Sequence, residues 1–471
     1  MPLTLDDFER DALATLMSYA TIECLSPAFD ERWRENGYID DAVDLLARWA
    51  RQRRLRSFDV EVLRLEDRTP VLMVTVAATN DDDATVVLYG HLDKQPPLGE
   101  WSAGLAPYQP VRRGDRVFAR GGADDGYSAF AALLALESLE AENIPHSRCV
   151  VLIEASEESG SPDLDAYLDH WREHLGRVAL MICLDSGALT YDRLWVTTSL
   201  RGLASVEVTV RVLTQGQHSG SASGVVPSSF RILRQLLDRV EDATTGEVLV
   251  PALHAEIPDS ARDAARHIAR EFGDQIFDDL PLVDGLALMG ADHAERLLNQ
   301  TWRPTLSVVG VAGIPSPEMA GNVLRPFTTA TLSFRLPPSV DAAKAVAALE
   351  ERLTIDVPAG AHVSVHGHGA DGWASPPVAP WLVDALDDAS HEFFGHGVGY
   401  SGEGGTIPFL ASLGRRYPGV QFVATGVLGP HSNAHGIDEM LDLPTTVAVT
   451  NCVARIVAAF PHREEFRDTS R

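Results

Sequence analysis

Three continuous apolar runs, each stopping at a histidine or an acid, constrain this chain more than any other feature. Thr85-Val86-Val87-Leu88-Tyr89 leads into Gly90-His91-Leu92-Asp93, Cys149 to Ile153 leads into Glu154 to Glu158, and Val178 to Leu184 ends at Asp185. A strand apolar on both faces must be covered on both faces, and helical periodicity between the runs, as from Tyr127 to Glu142, supplies the cover. The pattern predicts an α/β fold around a central sheet. Sheets of this kind bind ligands just past the carboxyl ends of their strands, where these polar residues fall. Helices are also expected from about Leu5 to Tyr19 and from about Asp40 to Gln52.

From about Arg201 the texture changes. Ser205 to Val210, Thr329 to Leu336 and His362 to His366 alternate polar and apolar residues, and Asp341 to Leu353 is an amphipathic helix. Such half-exposed strands beside a helix predict an α+β module with one sheet face open to water. The charged, partly helical stretch from about Gly246 to Pro315 reads as an elaboration on that module. After Gly372-Trp373 the first texture returns, with a helix over Pro380 to Phe394, a strand over Val420 to Val423 and a closing helix over Thr445 to Phe460. A chain of 471 residues exceeds one ordinary core. The expected organisation is an α/β domain of residues 1–198 plus 373–471, interrupted by an inserted α+β domain of residues 199–372.

Charge narrows the partners. Asp and Glu number 67 against 39 Lys and Arg, a formal charge of -28 that repels nucleic acid phosphates and anionic membranes. No stretch reads as the roughly 20 apolar residues of a membrane span, and the acidic start MPLTLDDFERD lacks the features of a signal peptide. Cys24, Cys149, Cys183 and Cys452 form no CxxC pair and are too scattered for a disulfide framework. The last three lie in apolar runs, as small buried hydrophobes do. A cytoplasmic protein with neither nucleic acid nor membrane partner is expected.

The chemistry-bearing segments are ambiguous one by one. A His two residues before an Asp at a strand end, His91 and Asp93, supplies a metal ligand and its orienting partner, or a strand cap and a turn. Gly121-Gly122-Ala123-Asp124-Asp125-Gly126 before a helix is a ligand loop or an ordinary N-cap. Adjacent Glu157 and Glu158 repel each other unless a cation or solvent lies between them; one can bind an ion while the other takes a proton from water. Asp185 is costly to bury unless paired or metal-bound, though it also suits a turn. His431 and His435, in GPHSNAHGIDE, are ligands or surface histidines. Their joint occurrence in one α/β framework matches an oxygen- and nitrogen-rich site for two metals.

Taken together the segments YGHLDKQPP, RGGADD, EASEESGS, LDSG, HSG, FRLPP, EGGTIP and AHGIDE resemble, in order, the dinuclear zinc peptidases that include carnosine-type dipeptidases, glutamate carboxypeptidases, aminoacylases and desuccinylases. The long insert, with Trp302-Arg303-Pro304-Thr305-Leu306-Ser307, is most similar to the dipeptidase branch. The resemblance implies a mixed-sheet catalytic domain carrying an inserted lid and dimerisation domain. It implies two divalent ions, zinc or else manganese or cobalt, with His91 and Asp185 on one, Glu158 and His435 on the other, and Asp124 bridging them. Asp93 would orient His91, and Glu157 would deprotonate the bridging water and pass the proton to the leaving amine. His218 would stabilise the oxyanion, reaching over from the partner in a homodimer. Arg335 would clamp the substrate carboxylate, and Asn322 and Thr406 would contact substrate. The implied reaction is hydrolysis of the amide bond of a dipeptide or similar small peptide with a free carboxylate.

Two departures bear on the substrate. Relatives often read Asp-Asn-Lys-Gly where this chain has Asp124-Asp125-Gly126-Tyr127, and many dipeptidases carry Arg where Gly402 precedes Glu403. An N-acyl or N-succinyl amino acid deacylase using the same site is the alternative, and an idle binding homologue a more distant one. No GxSxG run supports a serine hydrolase. His391 and His396 are five apart, which turns the second about 140° from the first on a helix, so they are read as surface residues rather than a one-zinc motif.

Overall fold

The computed structural model describes residues 2–278, 280–417 and 419–463. The larger sheet is begun by β1 (Phe58–Leu63), β2 (Val71–Val76), β3 (Ala84–His91), β4 (Arg148–Glu154), β5 (Arg177–Cys183) and β6 (Trp195–Leu200). A separate set follows, β7 (Gly202–Arg211), β8 (Thr305–Ala312), β9 (Phe327–Leu336) and β10 (His362–Ala370). The chain then returns to the first sheet with β11 (Trp373–Ala374), β12 (Gly399–Glu403) and β13 (Gln421–Ala424).

The larger sheet runs β1-β2-β4-β3-β5-β13-β6-β11, with β12 on β6. Its centre is parallel: β3 lies between β4 and β5, with His91 opposite Glu154 and Tyr89 opposite Cys183. The apolar continuity of β3 follows from having two covers. Val86 and Leu88 enter a core with the helices Ser128–Ala141, Pro380–Phe394 and Leu443–Ala459, while Val87 and Tyr89 enter a second core on the opposite face. Leu443–His462 has the length and mean hydropathy, 1.4, to cross a membrane, contrary to the sequence expectation, yet 72% of its apolar window is buried inside the protein. It is a core helix, apolar because both its sides are covered. All four cysteines are free and buried, Cys24 included.

The smaller sheet runs β8-β9-β7-β10, all antiparallel. Ala204, Val206, Val208 and Val210 of β7 pack beneath the helices Ser229–Leu237 and Ala342–Thr354, and the alternate residues face out, as the period-two pattern predicts. Helices Asp259–Phe272 and His293–Thr301 do not elaborate this module. They pack with Trp302 against Trp195 of β6, beside the larger sheet, because their apolar stripes, among them Ile268 and Leu298, find their cover there. Strands β1, β2, β6, β8, β11 and β12 are additions to those read from the sequence.

Candidate metal centre

Parallel pairing of β4, β3 and β5 delivers their polar ends side by side. His91 closes β3, the turn Glu157–Ser159 follows β4, and Asp185 follows β5. Asp124 arrives from the tight turn Gly122–Gly126 that starts the helix Ser128–Ala141. His435 comes from a loop in which His431, Asn433, His435 and Asp438 all have positive φ, a concentration of strained backbone of the kind found at functional sites.

Asp124 stands at the middle. One carboxylate oxygen is 3.3 Å from His91 Nε2 and the other 3.0 Å from His435 Nε2. His91 Nε2 is also 3.8 Å from Asp185, and His435 Nε2 is 3.3 Å from Glu158. Atoms held about 2.0–2.2 Å from one ion at tetrahedral angles stand roughly 3.3–3.6 Å apart, so these spacings suit shared cations. Two groups of side chains, His91 with Glu157 and Asp185, and His91 with Asp124 and Glu158, place ligand atoms within 4.8 Å of one another. His91 Nε2 is buried and has no hydrogen-bond partner, an expensive arrangement for a polar atom unless something else binds it. The donor set of imidazole and carboxylate is the one that zinc, manganese and cobalt accept.

Electrostatics point the same way. Burial, and then the charge of Asp185, pushes the Glu157 carboxyl well above its ordinary value. Burial lifts Asp185 to about 7, against the opposing pull of His91. The His435 ring resists charging because it is buried, but Asp124 and Glu158 outweigh that and raise it to about 11. So many acids crowded around two imidazoles call for added positive charge, and a divalent ion supplies it without protonating the ligands.

Asp93 sits beside His91 as expected, but the contact differs. Its main-chain carbonyl is 3.0 Å from His91 Nδ1 and its carboxylate 3.5 Å away. That carboxylate also accepts the backbone N–H groups of Glu157 and Glu158, each at 3.1 Å, so one aspartate aligns the ends of two strands. A cavity of about 1220 Å³ opens over the cluster, with Asp124, Glu157, Glu158, Asp185 and His435 on one side and Arg335 from β9 on the other. Thr406 lines it too and accepts a 3.0 Å hydrogen bond from Arg335 Nη1. His218 and Asn322 do not line it. They sit together, exposed, on the inserted module, where Ser219 N donates to the Asn322 carbonyl at 2.9 Å. His391 and His396 are exposed and take no part.

Several supporting residues escaped the sequence reading. Gln95 Nε2 donates to Glu158 at 2.7 Å. Glu439, buried and paired with Arg120 at 2.7 Å, accepts the backbone N–H groups of Gly121, Ala123 and Asp124, while Arg120 also donates to the Gly436 carbonyl. This pair clasps the Asp124 turn to the His435 loop. Asp125 accepts the His91 N–H at 3.1 Å. Glu403 accepts from Gly187 N and the hydroxyls of Ser186 and Thr197. Gln95 and Glu439 both lie inside quoted motifs, and that proximity was the available signal.

The two departures have packing reasons. A Cβ at Gly126 would lie 2.1 Å from the Tyr19 ring, so no lysine fits. A Cβ at Gly402 would lie 2.6 Å from Ser199 Oγ and 3.1 Å from Thr301, where the helix His293–Thr301 leaves no room for an arginine.

Residues 87–459 match the model of peptidase family M20/M25/M40. The chain is 28% identical over 372 residues to a cysteinylglycine-S-conjugate dipeptidase of Corynebacterium striatum, covering 78% of each. It is 24% identical over 413 residues to a Cys-Gly metallodipeptidase of Saccharomyces cerevisiae, covering 84% of this chain and 83% of that one. The crystal structure of an M20 family metallo-carboxypeptidase from Sulfolobus solfataricus superposes with a TM-score of 0.80 at 21% identity, covering 96% of this chain and 99% of that one.

Proposed function

This chain belongs to peptidase family M20/M25/M40, and from that premise we propose that it is a metal-dependent dipeptidase acting on small peptides with a free C-terminal carboxylate. The observation that carries the reading is the Asp124 carboxylate, set between His91 and His435 at 3.3 and 3.0 Å. His91 and Asp185 would hold one divalent ion, zinc first, and Glu158 and His435 a second, with Asp124 serving both. Bound there, the ions would supply an acidified water and polarise the scissile carbonyl. Glu157 takes the water's proton and returns it to the leaving amine. Arg335, braced by Thr406, offers its guanidinium fork to the substrate carboxylate across the cavity. Asp93 keeps His91 and the Glu157–Glu158 turn in register.

We further propose that residues 1–198 and 373–471 form the catalytic domain and 199–372 a lid that also dimerises, with its helices Asp259–Phe272 and His293–Thr301 resting on the catalytic sheet. Supporting this, β8 is an edge strand whose Val309 and Val311 are 64% and 54% exposed, a combination suited to strand-edge pairing with a second copy. His218 and Asn322, clustered outside the cavity of their own chain, would then serve the partner's site. Four free buried thiols fit a reducing cytoplasm.

The test is a panel of dipeptides, N-acetyl amino acids and N-succinyl amino acids assayed with zinc, manganese and cobalt, with metal content measured. Dipeptide turnover with about two ions per chain, lost to a chelator, is the expected result. Turnover confined to the acylated amino acids would replace the dipeptidase reading with a deacylase. Chelator-resistant turnover would defeat both.

A further inference from the structure

We propose that a second cavity, behind the active site and separate from it, binds a small organic anion with an apolar body. The cavity, of about 680 Å³, lies between the helices Asp259–Phe272 and His293–Thr301 and the start of the inserted module. That volume is in the range of small-molecule sites. Arg201, Arg262, Arg296 and Arg303 line it. In a chain of net charge -28, four guanidinium groups around one cavity reverse the prevailing sign.

Among the described residues, three of these arginines have no carboxylate partner. Arg201 is only 8% exposed. It donates to the carbonyls of Gly404 and Asn299 at 3.3 and 3.4 Å and to the Thr305 hydroxyl at 3.2 Å, and no carboxylate among the described residues accepts from it. Burial, and then the like charge of Arg335, pulls its pKa down to about 10. Arg296 has a buried Nε without a partner, its Nη1 facing His293 Nδ1 at 3.0 Å. Arg262 forms no ion pair among the described residues. Arg303 alone is satisfied, by Glu295 and Asn299 at 2.6 Å each. Glu247 and Glu256, also in the lining, are exposed and bridge none of the four. A buried cation without a counter-charge is costly, and an anionic ligand removes that cost.

The remaining wall sets the rest of the ligand. Phe277, Leu288, Met289 and Trp302 give it a broad apolar side, which suits a carboxylate or phosphate attached to a hydrocarbon or aromatic group. The site is not an arm of the catalytic cleft, since none of its arginines lines that cleft. The two are nevertheless wired together. The Thr406 hydroxyl donates to the Arg201 carbonyl at 2.6 Å and accepts from Arg335, so two hydrogen bonds through Thr406 join the backbone of Arg201 to Arg335.

Calorimetric titration of the full-length Arg335→Ala variant tests this, because the cleft's own guanidinium is then gone. The probes are 4-phenylbutyrate, phenyl phosphate and inorganic phosphate. Saturable binding near one per chain is expected for at least one of the two aromatic anions, and the one that binds identifies the head group. Adding Arg262→Ala and Arg296→Ala should weaken it at least tenfold, as loss of charge-assisted hydrogen bonds does. Met289→Glu, at the exposed mouth, should do the same and guards against misfolding of the multiple variant, with circular dichroism confirming the fold of each. No saturable binding of either aromatic anion, or binding that ignores both sets of substitutions, overturns the proposal. Inorganic phosphate binding as tightly as phenyl phosphate overturns the apolar part of it.

Discussion

Replacing Glu157 with glutamine should cut turnover and stabilise the metal-free protein at once, a pairing that a merely structural side chain would not produce. The Glu157 carboxylate accepts no hydrogen bond from the described residues, so the neutral isostere breaks none. What it removes is a negative charge within 4.8 Å of Asp185. Two unit charges at that separation repel by about 3 kcal/mol at an effective dielectric of about 20. Burial already favours the protonated form of Glu157, so that figure is an upper bound on the relief. With about 2.1 cal/mol/K of unfolding entropy per residue, a chain of 471 residues converts each kcal/mol into about 1 °C, so the chelated variant should melt above the chelated parent, by at most about 3 °C. With metal restored, loss of the proton acceptor should lower kcat by about 10²–10⁴, or about 2.7–5.4 kcal/mol in the barrier. The assays are initial rates on a dipeptide, metal content by emission spectroscopy, and thermal melts in chelator. A variant that keeps more than a tenth of parental kcat with full metal, or that melts lower than the parent without it, would refute the assignment.

Arg335→Ala should raise KM for a dipeptide about 10–100-fold, the worth of a charge-assisted pair, while leaving KM for the C-terminal amide unchanged; Arg335→Lys should not restore the fork, and equal losses on both substrates would remove the carboxylate clamp. Gly90→Ala would put a Cβ 2.1 Å from Ser128 Oγ and 2.5 Å from Asp125, immediately before His91, and should cost about 3 kcal/mol or abolish soluble expression; an unchanged melt would show that the strand end can shift. Asp82 receives two hydrogen bonds from Arg463, at 2.6 and 2.9 Å, and one from Ser147; burial opposes its charge, yet these partners hold its pKa at about 2. A folded value below the unfolded one contributes stability above about pH 4 that is lost as pH falls toward 2, so Asp82→Asn should melt about 1 °C lower at pH 7 and match the parent near pH 2; a gap that persists in acid would rule the ion pair out.

The central strands were legible because each carries its own double burial. Val86 and Val87 point into different cores, so the run cannot alternate. Strand β2, Val71–Val76, has the same texture and was missed for want of a polar terminus to draw attention to it. Strand β8 was missed for the opposite reason, since its valines are exposed at a sheet edge. At the site, His91, Glu158 and Asp185 stood out where apolar runs stop and Asp124 and His435 in loops, and the structure gathers the other four around Asp124. Glu439 and Gln95 did not stand out. Glu439 is there for the backbone N–H groups of residues more than 300 positions earlier, and no local pattern encodes such a bond. The packing of the helices around Trp302 against Trp195 was hidden likewise, because an amphipathic stripe announces that it needs a cover but not which one.

The return of the chain to its first sheet also sets an order of events during synthesis. His91, Asp124, Glu158 and Asp185 emerge within 94 residues of one another, but His435 follows Asp185 by 250 residues, about 12–50 s at usual elongation rates. Throughout that interval the nascent chain holds four of the five clustered side chains. The Arg120–Glu439 clasp closes only after Glu439 has been made, so the site is completed late in synthesis.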